Sequence, residues 1–326
     1  MTTAGGEMMN SKKSKEQWMQ KTSVVWAGAL LCCLLWGSAF PFVKIGYRLF
    51  EINSGDTASQ ILFAGLRFVL AGVLAVILGS ISEKRILFPE KKAAKEIIWL
   101  SLLQTILQYF FFYMGLAHTS GVKSSIIEAV NVFVAVLVAS LLFKQEKLTV
   151  KKMAGCLVGF AGVVLINLNG MNFHMSLNGE GAILLSTVAY AFSSVFLKKF
   201  SGKFHPVMLS GYQFILGGAV LALAGACLGG RIHTISLPAA GLLIYLALVS
   251  AVAYSLWGIL LKYNPVSKVA VFGFMNPVFG VLLSALLLGE TEQAAGILSL
   301  ISLLLVCAGI YVVNMPEKGS KETVSE

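Results

Sequence analysis

Charged residues are scarce in this chain: Asp, Glu, Lys and Arg make up 12% of its 326 residues, against 57% hydrophobic. That balance excludes an ordinary water-soluble domain, in which about a quarter of the residues are charged. Histidine is scarcer still. His118, His174, His205 and His233 are dispersed near the ends of apolar runs, which argues against a metal centre. The five cysteines, Cys32, Cys33, Cys156, Cys227 and Cys307, all fall within apolar runs. Odd in number and without metal or pairing spacing, they read as small packing residues. No G-x-x-x-x-G-K-S/T stretch is present, so this chain carries no nucleotide-binding loop and direct ATP drive within it is excluded. The acidic or histidine clusters that a membrane-edge lipid or isoprenoid enzyme needs are also missing. We expect no cofactor and no catalytic residue.

What the chain has instead is long apolar runs. Ten of roughly membrane-spanning length can be marked, at about 23–46, 58–79, 97–116, 122–143, 151–169, 180–199, 207–228, 238–261, 266–288 and 294–313. They use most of the chain and leave no room for a separate globular catalytic domain. Lysine and arginine between the runs keep to alternate sides. Twenty lie in the two tails or in the even-numbered loops and the run ends beside them, and only Arg48, Lys123 and Arg231 lie in or beside the odd-numbered loops. Positive charge stays cytoplasmic during insertion, so an even span count with both termini in the cytoplasm is expected, in a multi-pass protein of the cytoplasmic membrane. The net charge of +10 is this loop excess rather than a nucleic-acid footprint. The first run, preceded by lysines and containing Gly37-Ser38-Ala39, superficially looks like a cleaved signal. It continues through Phe40-Pro41-Phe42-Val43 to a full span's length, and we read it as a retained first helix.

The chain divides in two. An Asn/Gly/Ser-rich segment, Asn167 to Glu180, separates five runs from five. Trp36 to Lys44 parallels Tyr190 to Lys198, aromatic to lysine at one spacing. Asn131-Val132-Phe133 parallels Asn276-Pro277-Val278-Phe279, and Ala161-Gly162-Val163 before Asn167 parallels Ala308-Gly309-Ile310 before Asn314. Five is odd, so the second half enters the membrane from the opposite side. The expected fold is an all-α integral membrane protein: ten transmembrane helices as two inverted five-helix repeats around a central cavity. The expected boundaries are a cytoplasmic tail at 1–22, repeat 1 at 23–169, a linker at 170–179, repeat 2 at 180–314 and a second cytoplasmic tail at 315–326.

These residues carry a family resemblance. Trp36-Gly37-Ser38 with Lys44, Leu66-Arg67-Phe68, Thr119-Ser120-Gly121, Asn276-Pro277-Val278-Phe279-Gly280 and Leu288-Gly289-Glu290, in this order, resemble the drug/metabolite transporter superfamily. The match is to its ten-helix members with two tandem EamA-type repeats, and it covers about residues 22–314. No single motif is specific; the order and the topology together are. One departure is Lys144-Gln145-Glu146, where the family usually has Leu-Gly-Glu. The resemblance implies metabolite export or uptake through a central cavity, and no particular substrate.

Ionisable residues inside an apolar span need a reason, since one at the bilayer centre costs at least about 2.5–3.5 kcal/mol on insertion scales. Glu128 is the carboxylate well inside a span and Arg67 the cation. Counted from the outer side they sit at similar depth, so a pair between them is expected, either as a permanent structural ion pair or as working groups. In the second reading Glu128 exchanges a proton or meets a cationic group, and Arg67 holds position or meets a carboxylate. Ser124, Ser125, Glu128 and Asn131 form one polar stripe. Gln104 and Gln108 are four apart, with Ser101 one turn earlier, and Asn131 and Asn276 are expected to flank a midplane cavity. For any one Asn or Gln, interhelical hydrogen bonding is the better explanation; the grouping favours a cavity. Tyr254 adds aromatic surface within or near the spans, and Trp36, Tyr190 and Trp257 are deep enough to line a pathway, with core packing as the alternative; Tyr113 and Trp26 read as interface anchors. Pro41 and Pro277 are expected to kink or unwind their helices. Gly155 and Gly159 give a small-residue face, for tight internal packing or, less readily, a dimer contact.

The function that follows is a secondary transporter of a small polar or zwitterionic metabolite such as an amino acid, working by alternating access. The candidate substrate residues are Trp36, Arg67, Gln104, Gln108, Ser124, Glu128, Asn131, Tyr190, Tyr254, Trp257 and Asn276. Export is preferred on the resemblance alone. Proton coupling through Glu128 and an uncoupled facilitator or channel-like permease both stay open, with a membrane-embedded lipid-modifying enzyme as the weakest rival. The expected partners are the lipid bilayer, the small-molecule substrate and, with coupling, protons. We expect no nucleic acid, and either a monomer or a weak homodimer.

Overall fold

The structure is a computed structural model that describes residues 14, 16–53, 55–116, 118–119, 124, 127–166, 176–288 and 297–315. Lys123, Ser125, Asn167, Ser120-Gly121, Gly289-Glu290 and the outer ends of both tails lie outside these residues. Among the described residues every regular element is helical. In chain order the helices are α1 Thr22–Leu49, α2 Thr57–Ser82, α3 Lys91–Gly115, α4 Ile127–Leu142 and α5 Val150–Ile166. They continue with α6 Leu177–Ser201, α7 Pro206–Cys227, α8 Leu237–Tyr263, α9 Val266–Leu288 and α10 Ile297–Asn314. Seven, namely α1, α2, α3, α6, α7, α8 and α9, are long and apolar enough to cross a bilayer; α4 is a shorter apolar helix.

The starts and stops follow local chemistry. Asp56 accepts from the Ser59 amide at 2.9 Å to open α2, and Ser236 accepts from the Ala239 amide at 3.3 Å to open α8, with Pro238 in its first turn. Helix α7 opens on Pro206 and closes beside Gly229, whose φ of 89° suits a residue without a Cβ. The proline expectation needs a partial correction. Helix α1 runs unbroken through Pro41. In α9, Pro277 cannot donate to the carbonyl of Gly273, and the backbone tightens to a 3-10 turn over Val271–Phe274. Single π-helical stretches interrupt α3 at Ser101–Leu107 and α4 at Val138–Leu142.

The two halves are joined by glycine. Gly65, Gly72 and Gly79 of α2 recur every seven residues, as do Gly211, Gly218 and Gly225 of α7. A Cβ on Gly65 would come within 2.2 Å of the Ala222 amide nitrogen, and one on Gly72 within 2.5 Å of the Gly211 carbonyl. A Cβ on Gly225 would meet the Leu62 amide at 2.5 Å. Rising numbers in α2 therefore meet falling numbers in α7: the two helices cross antiparallel at backbone contact. The same holds for α5 and α10, where Gly155 faces Gly309 and Val313 while Gly162 faces Ser302 and Val306. Gly155 and Gly159 thus pack inside the molecule, the latter against Phe274 and Gly309. In lipid no hydrophobic drive separates helix from solvent, so such close contact is what binds helices together.

The remaining contacts are reciprocal between the halves. Helix α1 packs on α8 and α9, and α6 packs on α3 and α4; α2 packs on α8, and α7 on α3.

Valine at Gly218 would set its Cβ 2.6 Å from the Val69 amide and 2.9 Å from the Gly65 carbonyl, neither of which can yield. Overpacking of this kind costs about 1–3 kcal/mol or more. Gly218→Val is expected to lose the monodisperse peak in size-exclusion chromatography, whereas Gly241→Val, with nothing within 4 Å of its added Cβ, keeps it.

Candidate functional site

The α2–α7 seam brings two short sequences into register. Gly65-Leu66-Arg67-Phe68 and Gly211-Tyr212-Gln213-Phe214 occupy corresponding positions, and the phenyl rings of Phe68 and Phe214 stack at 5.1 Å with 18° between their planes. Tyr109 of α3 and Tyr254 of α8 lie outside this pair, 4.3 Å from Phe68 and 4.8 Å from Phe214 respectively, and their hydroxyls meet at 3.1 Å. Trp36 of α1 sits 5.0 Å from Tyr254, 5.0 Å from Trp257 and 6.4 Å from Tyr190 of α6. Three matched pairs, one member from each half, thus converge at the centre of the bundle. Edge-on aromatic contacts of this kind hold ring positions as well as burying area.

Polar groups surround these rings. Ser250, Tyr254 and Trp257 share a face of α8 at i, i+4 and i+7. Arg67 is 5% exposed, lies over the Phe68 ring at 5.0 Å and donates from Nη2 to Ser250 Oγ at 2.8 Å. Beside the rings, Arg67 Nε, Trp36 Nε1, Trp257 Nε1 and Gln108 Oε1 have no hydrogen-bond partner; Gln104 Nε2 and Asn276 Oδ1 have none either. Buried polar atoms in folded proteins are nearly all partnered, so the orphans beside the aromatic cluster mark a place where a ligand's polar atoms fit. Tyr109, Glu128 and Tyr190 are half-buried.

Two expectations change. Arg67 reaches Ser250 instead of Glu128, and among the described residues no ion pair joins Arg67 to Glu128. Equal depth is not adjacency: α2 packs on α7 and α8, whereas α4 packs on α6 and α9. Glu128 instead has its backbone carbonyl bonded by Asn131 Nδ2 at 2.6 Å. Gln104 is fully buried in an interhelical network: its Oε1 accepts from Gln213 Nε2 at 3.1 Å, and Thr105 Oγ1 donates to Gln213 Oε1 at 2.7 Å. It ties α3 to α7, while Gln108, one turn on, lies beside the Tyr254 hydroxyl.

The other candidates are dispersed around the cluster. Ser124 is buried, and Asn131 lies against Gly273, one turn before Asn276. Tyr113, read as an interface anchor, is buried with Tyr109 in the interior cluster; Trp26 packs edge-on against Phe272 at 5.3 Å. Sequence reading missed Ser250, Gln213, Tyr47 and the phenyl pair. The repeated Gly-x-Arg/Gln-Phe spacing was the signal for Gln213 and the phenyls; a lone serine or tyrosine in a span gives none.

Beyond the cluster, the exit of α4 is clasped to the start of α9. Glu146, with a side chain 6% exposed, accepts from the Ser267 amide at 2.8 Å and from Lys152 Nζ at 2.9 Å, and the Ser267 hydroxyl also donates to it. Lys198 at the end of α6 donates to the Leu261 carbonyl at 2.9 Å and to that of Asn264, the last residues of α8 and its cap. The departure Lys144-Gln145-Glu146 therefore retains a working acid, and Lys144 takes the left-handed turn, φ 51°, unaided by glycine.

An all-helical membrane bundle with aromatic and polar side chains gathered at its centre is the architecture of a small-molecule transporter. The chain belongs to the EamA-like transporter family, whose model matches it twice, at residues 23–168 and 177–315. It falls within the drug/metabolite transporter superfamily. An uncharacterized transporter of Archaeoglobus fulgidus is 29% identical over 300 residues, 88% of this chain and 98% of that one. A probable amino-acid metabolite efflux pump of Salmonella typhimurium is 26% identical over 301 residues, 87% of this chain and 92% of that protein. The Escherichia coli protein of that description is 26% identical over 302 residues, 87% and 92% of the two chains. One solved crystal structure superposes with a TM-score of 0.73 at 19% identity, covering 90% of this chain and 97% of the other, a likeness of fold alone. The names of these relatives are those of transporters, not enzymes.

Glu146→Ala leaves Lys152 and the first turn of α9 without their acidic partner. The expected loss is about 2 kcal/mol, read as a lower melting temperature of the detergent-purified protein, with Glu146→Gln intermediate. An unchanged melting temperature would remove the clasp from the account of stability.

Proposed function

We propose that this chain is a secondary transporter that moves a small polar or zwitterionic metabolite, such as an amino acid, across the cytoplasmic membrane by alternating access. It has ten spans in two inverted repeats, 23–169 and 180–314, joined by a linker at 170–179, with both tails in the cytoplasm. The observation that carries this reading is the antiparallel contact of α2 with α7, corresponding helices of the two halves, together with the meeting of matched side chains between them. Two copies threaded in opposite senses form a central site that can open to either side by rocking of one copy against the other. The lysine and arginine asymmetry of the loops supports the orientation. The names of the Salmonella typhimurium and Escherichia coli relatives support export and an amino-acid-like substrate.

In this reading Trp36, Tyr190, Tyr254 and Trp257 form the apolar wall of the substrate site and Gln108, Ser124, Asn131 and Asn276 supply hydrogen bonds. Glu128, on α4, whose main neighbours are α6 and α9, is the group suited to proton exchange. Gln104 serves the site indirectly, by holding α3 on α7. An uncoupled facilitator needs no titrating group, and that difference is testable.

In proteoliposomes a carrier shows flux accelerated by substrate on the opposite side, whereas a channel does not, and exchange-accelerated flux is expected. Glu128→Gln should abolish the response to an imposed pH gradient while leaving exchange intact; an undiminished response removes Glu128 from coupling. Thiols introduced at Lys12 and Ser320 should both be labelled from the cytoplasmic side only, and labelling from opposite sides would overturn the orientation.

A further inference from the structure

Arg67 is a buried cation whose structural neighbours are neutral. Its contacts are the Ser250 hydroxyl and the face of Phe68, and among the described residues no carboxylate forms an ion pair with it. Its Nε has no partner at all. A guanidinium at membrane depth is costly unless an opposite charge compensates it, and proteins seldom keep one there for packing alone.

The second half shows what packing requires at this position. Gln213 holds the same place in Gly211-x-Gln213-Phe214 that Arg67 holds in Gly65-x-Arg67-Phe68. Gln213 bonds Thr105, four residues before Tyr109; Arg67 bonds Ser250, four residues before Tyr254. The two sites are built alike, and in one of them a neutral amide does the structural work, fully buried. The charge on Arg67 is therefore surplus to the fold. Tyr109 packs on Phe68, the ring that Arg67 covers, Tyr254 lies one turn beyond Ser250, and the two hydroxyls meet at 3.1 Å. Two hydroxyls have two hydrogens and spend one on each other, which leaves one to donate outward.

We propose that Arg67 is the anion anchor of the central chamber, and that the transported molecule carries a carboxylate. Arg67 holds that carboxylate, the Tyr109–Tyr254 pair donates one hydrogen bond to it, and the rest of the molecule lies against Trp36 and Trp257. This rests on the carrier reading above and narrows its substrate class: amines and neutral solutes without an acidic group are excluded.

The test uses purified full-length protein and matched probes: acetate, isovalerate and 3-phenylpropionate as sodium salts, each against its own amide, at ionic strength balanced with sodium chloride. Ligands that prefer the folded state raise the melting temperature. At least one carboxylate is expected to raise it by several degrees where its amide does not. Arg67→Gln installs the side chain already accommodated at position 213, so it is expected to fold and to weaken the effective carboxylate by on the order of tenfold or more. Arg67→Lys keeps the charge without the fork and is expected to fall between. Four results would overturn the proposal: no carboxylate preferred over its amide, chloride alone reproducing the shift, Arg67→Gln binding as the unaltered chain does, or Arg67→Gln failing to fold. Exchange-accelerated flux is read separately. A chain that exchanges the amides as readily as the carboxylates remains a carrier and loses this assignment.

Discussion

Backbone-to-backbone contact at glycine is the constraint on which the rest of this molecule depends. Inside a bilayer an apolar side chain gains nothing by turning from lipid to protein, so helices stay together by fitting closely. Gly65, Gly72, Gly218 and Gly225 bring α2 and α7 to the distance at which a single added methyl collides with main chain. Gly155, Gly159 and Gly309 do the same for α5 and α10. Gly37 of α1 comes as close to Phe279 and Gly280 of α9, and Gly115 of α3 to Gly179 of α6.

The seams also set the chemistry. Because α2 and α7 cross antiparallel at matched glycines, residues just beside the glycines are forced to meet their counterparts: Phe68 with Phe214 and, one layer out, Tyr109 with Tyr254. Symmetry of this kind is a packing consequence and explains the aromatic core without appeal to a ligand. The departures from it carry more functional information. Arg67 opposite Gln213, and Glu128 where the second half has Gly273 three residues before its Asn276, are charges in one half without a partner in the other. A pair of interchangeable halves has no need for either.

The polar interior divides along the same line. Gln104, Thr105 and Gln213 bond one another and act as fasteners between α3 and α7, with Gln104 Nε2 left over. Arg67, Gln108, Asn276 and the two indole nitrogens of Trp36 and Trp257 have atoms left over. Neighbouring glutamines on one helix thus have different work, because Gln104 faces a glutamine across the gap and Gln108 faces an aromatic cluster.

The amino-acid sequence by itself determined the class of protein and its internal repetition. Apolar runs of bilayer length and the one-sided placement of lysine are local or additive properties, and the bilayer reads them directly. Trp36, Tyr190, Tyr254 and Trp257 were legible as candidates because few large aromatics lie deep in these spans, and they do gather. The pairing of Arg67 with Glu128 was not legible and is not what the chain does: depth along a helix can be counted from sequence, whereas the neighbour across the gap is set by helix crossing and rotation. Only the tertiary structure decided that Arg67 meets Ser250, that Tyr113 turns inward and that Gln104 is a fastener. Each depends on which glycine lets which pair of helices touch, and that is a property of two surfaces fitted together, not of either one alone.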